Sequence, residues 1–459
     1  MDRRGFLLQA GAGLSAVALP YLLQSEALAA APVGKAKRVI FVFCCGGVSH
    51  IDTFDYKPEL KKREGQELTG KGKLDTFFAQ PGKLMGSPFE FRQHGQSGAW
   101  VSSLLPNIAE HVDDMTFIHS MVSKSSNHTP ATFFFNTGFT MNGFPCLGAW
   151  LSYGLGSLNE NLPSFVVLPD PRGLPAGGPI NWTSGFLPAS HQGVAFQTKG
   201  DLIPELFPAD PEAQKKLAGR LAFLQKLNRE DEAAHPGDST LSARIRSYEL
   251  AARMQVSIPE AAGIEKESEA TKALYGLDRE TTAGFGRNCL LARRLVERGV
   301  RFVQLFHGGA FGGSPRINWD GHEDMVDNHT RQAENLDKPL AGLLTDLKQR
   351  GLLDDTLVVC ATEFGRTPFT QGVGTRGRDH HPHAFTIWMA GAGVKKGLHY
   401  GTSDEVGYNA VENPVEVYDL NATILQLLGI DHKQLTYYHN GIRRRLTDVH
   451  GTVVNALLA

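Results

Sequence analysis

RVIFVFCC at residues 38–45, followed at once by Gly46-Gly47, is the stretch on which the fold turns. After Arg38 every position is apolar, so it shows neither the period of two of a half-exposed strand nor the 3.6 of an amphipathic helix. A short continuous apolar run that stops at glycines is the pattern of a strand buried on both faces and entering a loop. The pattern recurs at residues 115–119, 164–168, 301–305, 356–361 and 384–390. Helical periodicity separates several of these runs. Residues 239–254 form one such segment. Residues 281–297 form a second, with Leu290, Leu291, Leu295 and Val296 on one face, and 329–350 a third, with Leu336, Leu340, Leu343, Leu344 and Leu347. Strands alternating with helices predict an α/β fold: a largely parallel central sheet with helices on both faces.

Composition narrows the class. The chain has 459 residues, 41% of them hydrophobic, enough for a large core. A formal net charge of −2 argues against a nucleic-acid binder, which normally carries a basic excess. The five cysteines include no CxxC pair, and Cys44, Cys45 and Cys360 sit in apolar runs, where cysteine acts as a small hydrophobe. At the N-terminus, Arg3-Arg4 precede a modest apolar stretch over 7–23, and Ala27-Leu28-Ala29 offers a small-x-small cleavage site. Residues 1–31 thus read as a twin-arginine signal and short leader, directing folded export to the periplasm or cell envelope, with no transmembrane span after it. Residues 32–459 read as one domain without repeats or linkers. Its charged stretch over 201–236 is expected to be an inserted helical layer or lid.

In a doubly wound sheet, ligands gather at the carboxyl ends of the strands. Polar residues cluster after the apolar runs in five places: Ser49-His50-Ile51-Asp52, Ser125 to Pro130 including His128, His307-Gly308-Gly309 with Asp320-Gly321-His322 beyond, Thr362 to Arg366, and Arg378-Asp379-His380-His381-Pro382-His383. Imidazole and carboxylate in this concentration suit a divalent metal such as zinc. Read singly, each is also an ordinary hydrogen-bonded loop group. Adjacent histidines cannot all turn inward, so at least one of His380, His381 and His383 is expected to brace the loop instead.

FCCGGVSHIDTFDYKPEL, FGRNCLLARRLVERGVRFVQ, ATEFGRTPF, GRDHHPHAFTIWMAGAGVKKG and the tail GIRRRLTDVHG together resemble the DUF1501 family. These are twin-arginine-exported bacterial proteins, abundant in planctomycetes and grouped with the alkaline phosphatase and sulfatase superfamily. The resemblance spans nearly the whole mature chain and implies an alkaline-phosphatase-like fold. It also implies site residues. His128-Thr129-Pro130-Ala131-Thr132, with Thr137-Gly138 after it, resembles the sulfatase nucleophile segment, placing His128 where the nucleophile stands. Histidine cannot become formylglycine, which sets the standard sulfatase mechanism aside. Cys45-Gly46 stands where the superfamily has a metal-binding Asp-Gly, leaving Asp52 as the nearest carboxylate. Glu363-Phe364-Gly365 resembles its Asp-His-Gly, keeping the carboxylate and losing the imidazole. Asp320 and His322 resemble an Asp and His that carry a metal, and His381 or a neighbour stands for the last histidine.

The expected metal ligands are therefore Asp52, Asp320, His322, Glu363 and His381. His128 is the catalytic candidate, either as nucleophile or as ligand with metal-bound hydroxide attacking; Ser125, Ser126 and Thr129 are alternative oxygen nucleophiles. Arg366 and Arg378 are the candidates for holding an anionic substrate, against the plainer reading as ion pairs. Two functions follow as expectations: a metal-dependent hydrolase or transferase acting on phosphate, sulfate or related esters, small-molecule or glycan, or a non-catalytic binding or assembly protein of the envelope. Cys45, His128 and Phe364 favour the second; the retained Asp, His and Glu set favours the first.

Overall fold

A computed structural model describes residues 34–78, 80–197, 216–235, seven positions between 241 and 258, 260–309 and 315–459. The expected signal over 1–31, most of the helix expected over 239–254, and residues 201–215 and 236 of the lid stretch over 201–236 lie outside the described residues; within the rest of that stretch a helix spans Leu217–Ala234.

Each apolar run read as a buried strand is a strand. Among the described residues the central sheet has nine. They are β1 (Arg38–Cys44), β2 (Met115–Val122), β3 (Phe165–Leu168), β4 (Val194–Ala195), β5 (Phe302–His307), β6 (Thr356–Ala361), β7 (Phe385–Ala390), β8 (Leu398–Tyr400) and β9 (Val415–Glu416). The order is β8-β2-β7-β6-β1-β5-β3-β4, with β9 also pairing β2. All pairings are parallel except those of β7, which runs antiparallel to both β2 and β6.

The unbroken hydrophobicity of β1 follows from its place at the centre. Alternate side chains of a strand face opposite ways. Ile40, Val42 and Cys44 join one core with Leu290, Leu291 and Leu295 of α3 (Glu280–Glu297) and Leu336, Leu340 and Leu343 of α4 (Met325–Gln349). Val39, Phe41 and Phe43 join a second, with Phe134 and Phe135 of α1 (His128–Thr137), Trp150 of α2 (Leu147–Leu155) and Ile424 of α5 (Val417–Leu427). The five cysteines are free and buried in these layers. Among the described residues no helix is long and apolar enough to cross a membrane.

A small antiparallel sheet made of Gly365–Gln371, Arg378–His381 and Pro81–Leu84 leans over the carboxyl ends of β1 and β6. It closes the region where the polar loops collect.

Candidate metal centre

The centre begins at the turn after β1. Gly46 and Gly47 have φ of 111° and 75°, which L side chains rarely adopt. A Cβ on Gly46 would stand 2.7 Å from the backbone nitrogens of Trp319 and Asp320, so only glycine lets the 319–320 backbone pass so close. The turn presents two carbonyls inward. Arg366 donates to both, from Nε to Gly47 O at 2.8 Å and from Nη2 to Gly46 O.

The loop carrying Asp320 and His322 is clipped on both sides. Trp319 N donates to Cys45 O at 2.9 Å, and Arg378 N to Gly321 O at 3.0 Å. It then enters α4, whose N-cap Asp324 accepts from the backbone nitrogens of Val326 and Asp327. His128 is the first residue of α1. His380 comes from the small sheet, opposite Arg366.

These segments bring one atom each of His128, Asp320, His322 and His380 within 4.8 Å of one another. Asp320 Oδ1 lies 3.2 Å from His128 Nε2, 2.7 Å from His322 Nε2 and 3.2 Å from His380 Nε2. His322 Nε2 and His380 Nε2 are 2.9 Å apart. Zinc bound at 2.0–2.1 Å by four ligands makes a tetrahedron with edges of about 3.3 Å, close to these separations. The far side of each ring is equally ordered. Nδ1 of His128 faces Glu363 Oε1 at 2.8 Å, that of His380 faces Ser126 O at 2.6 Å, and that of His322 faces Gln371 Oε1. A proton donated from each Nδ1 to its oxygen leaves the Nε2 lone pair turned inward, the arrangement of metal-binding histidines. Three inward lone pairs around a carboxylate repel one another unless a cation sits among them. The residues fit a metal.

Electrostatics agree. Burial alone would raise the Asp320 carboxyl, but the Arg366 guanidinium, with Nη2 at 2.7 Å, and the three imidazoles hold it far below the usual carboxylate range. Burial likewise opposes a charge on His128, yet Asp320 and Glu363 raise its proton affinity above the ordinary imidazole value. At His380 burial wins and the value falls well below the ordinary one. A proton and a metal would thus compete for the same inward position.

The other expected site residues are placed differently. Asp52 gives both carboxylate oxygens to Arg378, at 2.7 and 3.1 Å, and Oδ2 also accepts from Ser49 Oγ at 2.5 Å. Glu363 stands one bond behind the cluster, its Oε1 accepting from His128 and from Gly46 N at 2.8 Å. His381 is turned away: strand alternation that points His380 inward sends His381 out, where it donates to Tyr408 O. Burial lowers His381 to about 3. Arg366 and Arg378 are fully buried, and their donors are taken by protein oxygens, so neither offers a fork to a substrate. Sequence reasoning passed over Arg316, partly exposed, whose Nη1 reaches Asp320 Oδ2 at 2.5 Å. It also missed the aromatic cover of the cluster, Phe77 and Phe78. Two adjacent phenylalanines in a charged, glycine-rich stretch were the available signal.

No curated protein matches the chain. Solved structures similar to it include the lipoteichoic acid synthase LtaP from Listeria monocytogenes, 12% identical over 88% of this chain and 77% of that one, with a TM-score of 0.35. A protein in the alkaline phosphatase superfamily from Vibrio parahaemolyticus is 12% identical over 88% and 69%, with a TM-score of 0.38. The alkaline phosphatase of the Antarctic bacterium TAB5 is 9% identical over 86% and 99%, with a TM-score of 0.35. The family model described as "Protein of unknown function (DUF1501)" matches residues 36–458, and to that family the chain belongs.

Proposed function

We propose that the protein is an exported, metal-dependent hydrolase or transferase acting on phosphate, sulfate or related esters, with zinc as its metal. One observation carries this reading: three imidazoles from three separate segments aim Nε2 at a single carboxylate oxygen. A divalent metal held by His128, Asp320, His322 and His380 supplies Lewis-acid polarisation of an ester oxygen. The surroundings favour an anion. The helix α1 begins at His128 with no side-chain cap from Asn127, so its positive end meets the centre. Glu363 holds the tautomer of His128, and His128 is the ligand with the most exposed side chain, at 12%.

A second reading has its own support. Four protein ligands make a closed site, the form that structural zinc takes, whereas catalytic zinc keeps an open position. A non-catalytic binding or assembly protein of the envelope would need nothing more.

Metal analysis of natively exported protein, with turnover on a panel of phosphate and sulfate esters, separates the two. The hydrolase reading expects stoichiometric zinc and turnover. His128→Ala should lower both, activity by at least about 100-fold, with the secondary structure unchanged. Stoichiometric zinc with no ester turned over would leave the assembly reading; full zinc and full activity in the variant would remove His128 from the centre. Export rests on Arg3 and Arg4. Replacing both by Lys should leave the protein in the cytoplasm, and unchanged delivery in a fractionation experiment would refute the twin-arginine assignment.

A further inference from the structure

The metal cluster is roofed by a short segment held unusually well for a loop. Asp75 N donates to Tyr408 Oη at 2.9 Å, and the Asp75 carboxylate pairs with His383 Nε2 at 2.7 Å. The backbone nitrogens of Phe77 and Phe78 both donate to Asp379 Oδ2, at 2.8 and 3.1 Å. Asp379 is buried, and its other oxygen accepts from His380 N at 2.8 Å. One carboxylate therefore fixes both the backbone of a ligand and the roof above it, through charge-assisted bonds that are stronger than neutral ones.

The two rings so placed lie against the cluster's imidazoles. Phe77 stacks on His380 with centroids 4.8 Å apart, and Phe78 meets His322 edge to face at 5.0 Å. The rings stand at 87° to each other, 4.5 Å between centroids. Yet they remain 38% and 61% exposed. Large apolar rings anchored by their backbones but left open to solvent, beside a polar centre, form a wall waiting for an apolar partner. Their perpendicular setting offers a third ring one face and one edge, the geometry aromatic rings prefer.

We propose that Phe77 and Phe78 form a subsite for an aromatic ring on the alcohol side of the ester, so that the substrate is an aryl ester whose anionic group meets the metal. This rests on the ester reading above. Binding of phenylphosphonate and methylphosphonate to the zinc-loaded full chain, followed by calorimetry, tests it. Phenylphosphonate should bind about tenfold more tightly, which corresponds to about 1.4 kcal/mol. Phe78→Ala should bring the ratio near one without changing zinc content or methylphosphonate affinity, and Phe78→Tyr should keep the preference. Equal affinities in the wild type, or a preference that survives Phe78→Ala, would overturn the subsite while leaving the ester reading standing. If neither phosphonate binds zinc-loaded protein, both fail together.

Discussion

Asp320→Ala should empty the metal site and destabilise the fold in one step. The carboxylate is contacted by three imidazoles, by Arg366 at 2.7 Å and by Arg316 at 2.5 Å. Removing it takes away a ligand and the charge that compensates a fully buried guanidinium. Leaving one partner of a buried pair alone costs about 3–5 kcal/mol. Loss of a group one bond behind a metal already costs about 10- to 100-fold in affinity, so loss of this ligand should exceed about 100-fold. Asp320→Asn separates the effects, because it keeps an oxygen for Arg366: zinc should be lost with it, and less of the stability. Denaturant unfolding and metal analysis on the same samples read both quantities. A variant that keeps its zinc would show that the carboxylate serves only the arginines.

Arg378→Met should be nearly as damaging and should leave the metal alone. Both groups of the Arg378–Asp52 pair are fully buried, and the arginine also donates to the carbonyls of Thr367 and Met85. Stranding Asp52 should cost about 3–5 kcal/mol at neutral pH. The pH dependence identifies the cause. Burial alone would raise Asp52, but Arg378 holds its carboxyl below the ordinary value. A depressed carboxylate contributes stability that is present above its unfolded value, about pH 4, and is lost as the pH falls further. The deficit of the variant should therefore be largest at neutral pH and shrink in acid. Adding Asp52→Asn should recover much of it. Zinc lost on adding Asp52→Asn, at temperatures where the double variant stays folded, would put Asp52 back among the ligands.

What the sequence made legible follows from how locally each feature is determined. Burial on both faces writes itself into β1 as unbroken hydrophobicity, so the sheet could be read before any contact was known. That Asp320 and His322 share one cluster was readable for a similar reason, since two residues with one between them need only a loop to come together. His380 was not. Whether it or His381 turns inward depends on which pairs with Arg366 and which with Gly365, and no local pattern records that register. Arg366 and Arg378 were open to two readings, forks for a substrate anion or plain ion pairs; they form ion pairs, but buried ones, with Asp320 and the distant Asp52, and the carbonyls turned inward at Gly46 and Gly47 take further donors of Arg366. Glu363, expected to face into the cluster, stands one hydrogen bond behind it, on His128.

The clipping of the 319–325 loop bears on which ion the protein acquires. Asp320 and His322 are positioned by the turn after β1 and by the strand from Arg378, and His128 and His380 arrive from α1 and the small sheet. Segments that distant in the chain meet only once folding is complete, so an unfolded chain has no preformed centre with which to select a metal. Proteins sent out by the twin-arginine route are already folded when they leave. With the export proposed above, the choice of ion would be made from the cytoplasmic metal pool and carried across the membrane in the finished protein. The variant retained by replacing Arg3 and Arg4 offers a direct comparison: its metal should match that of exported protein, and a different ion in the two would place loading outside the cell membrane.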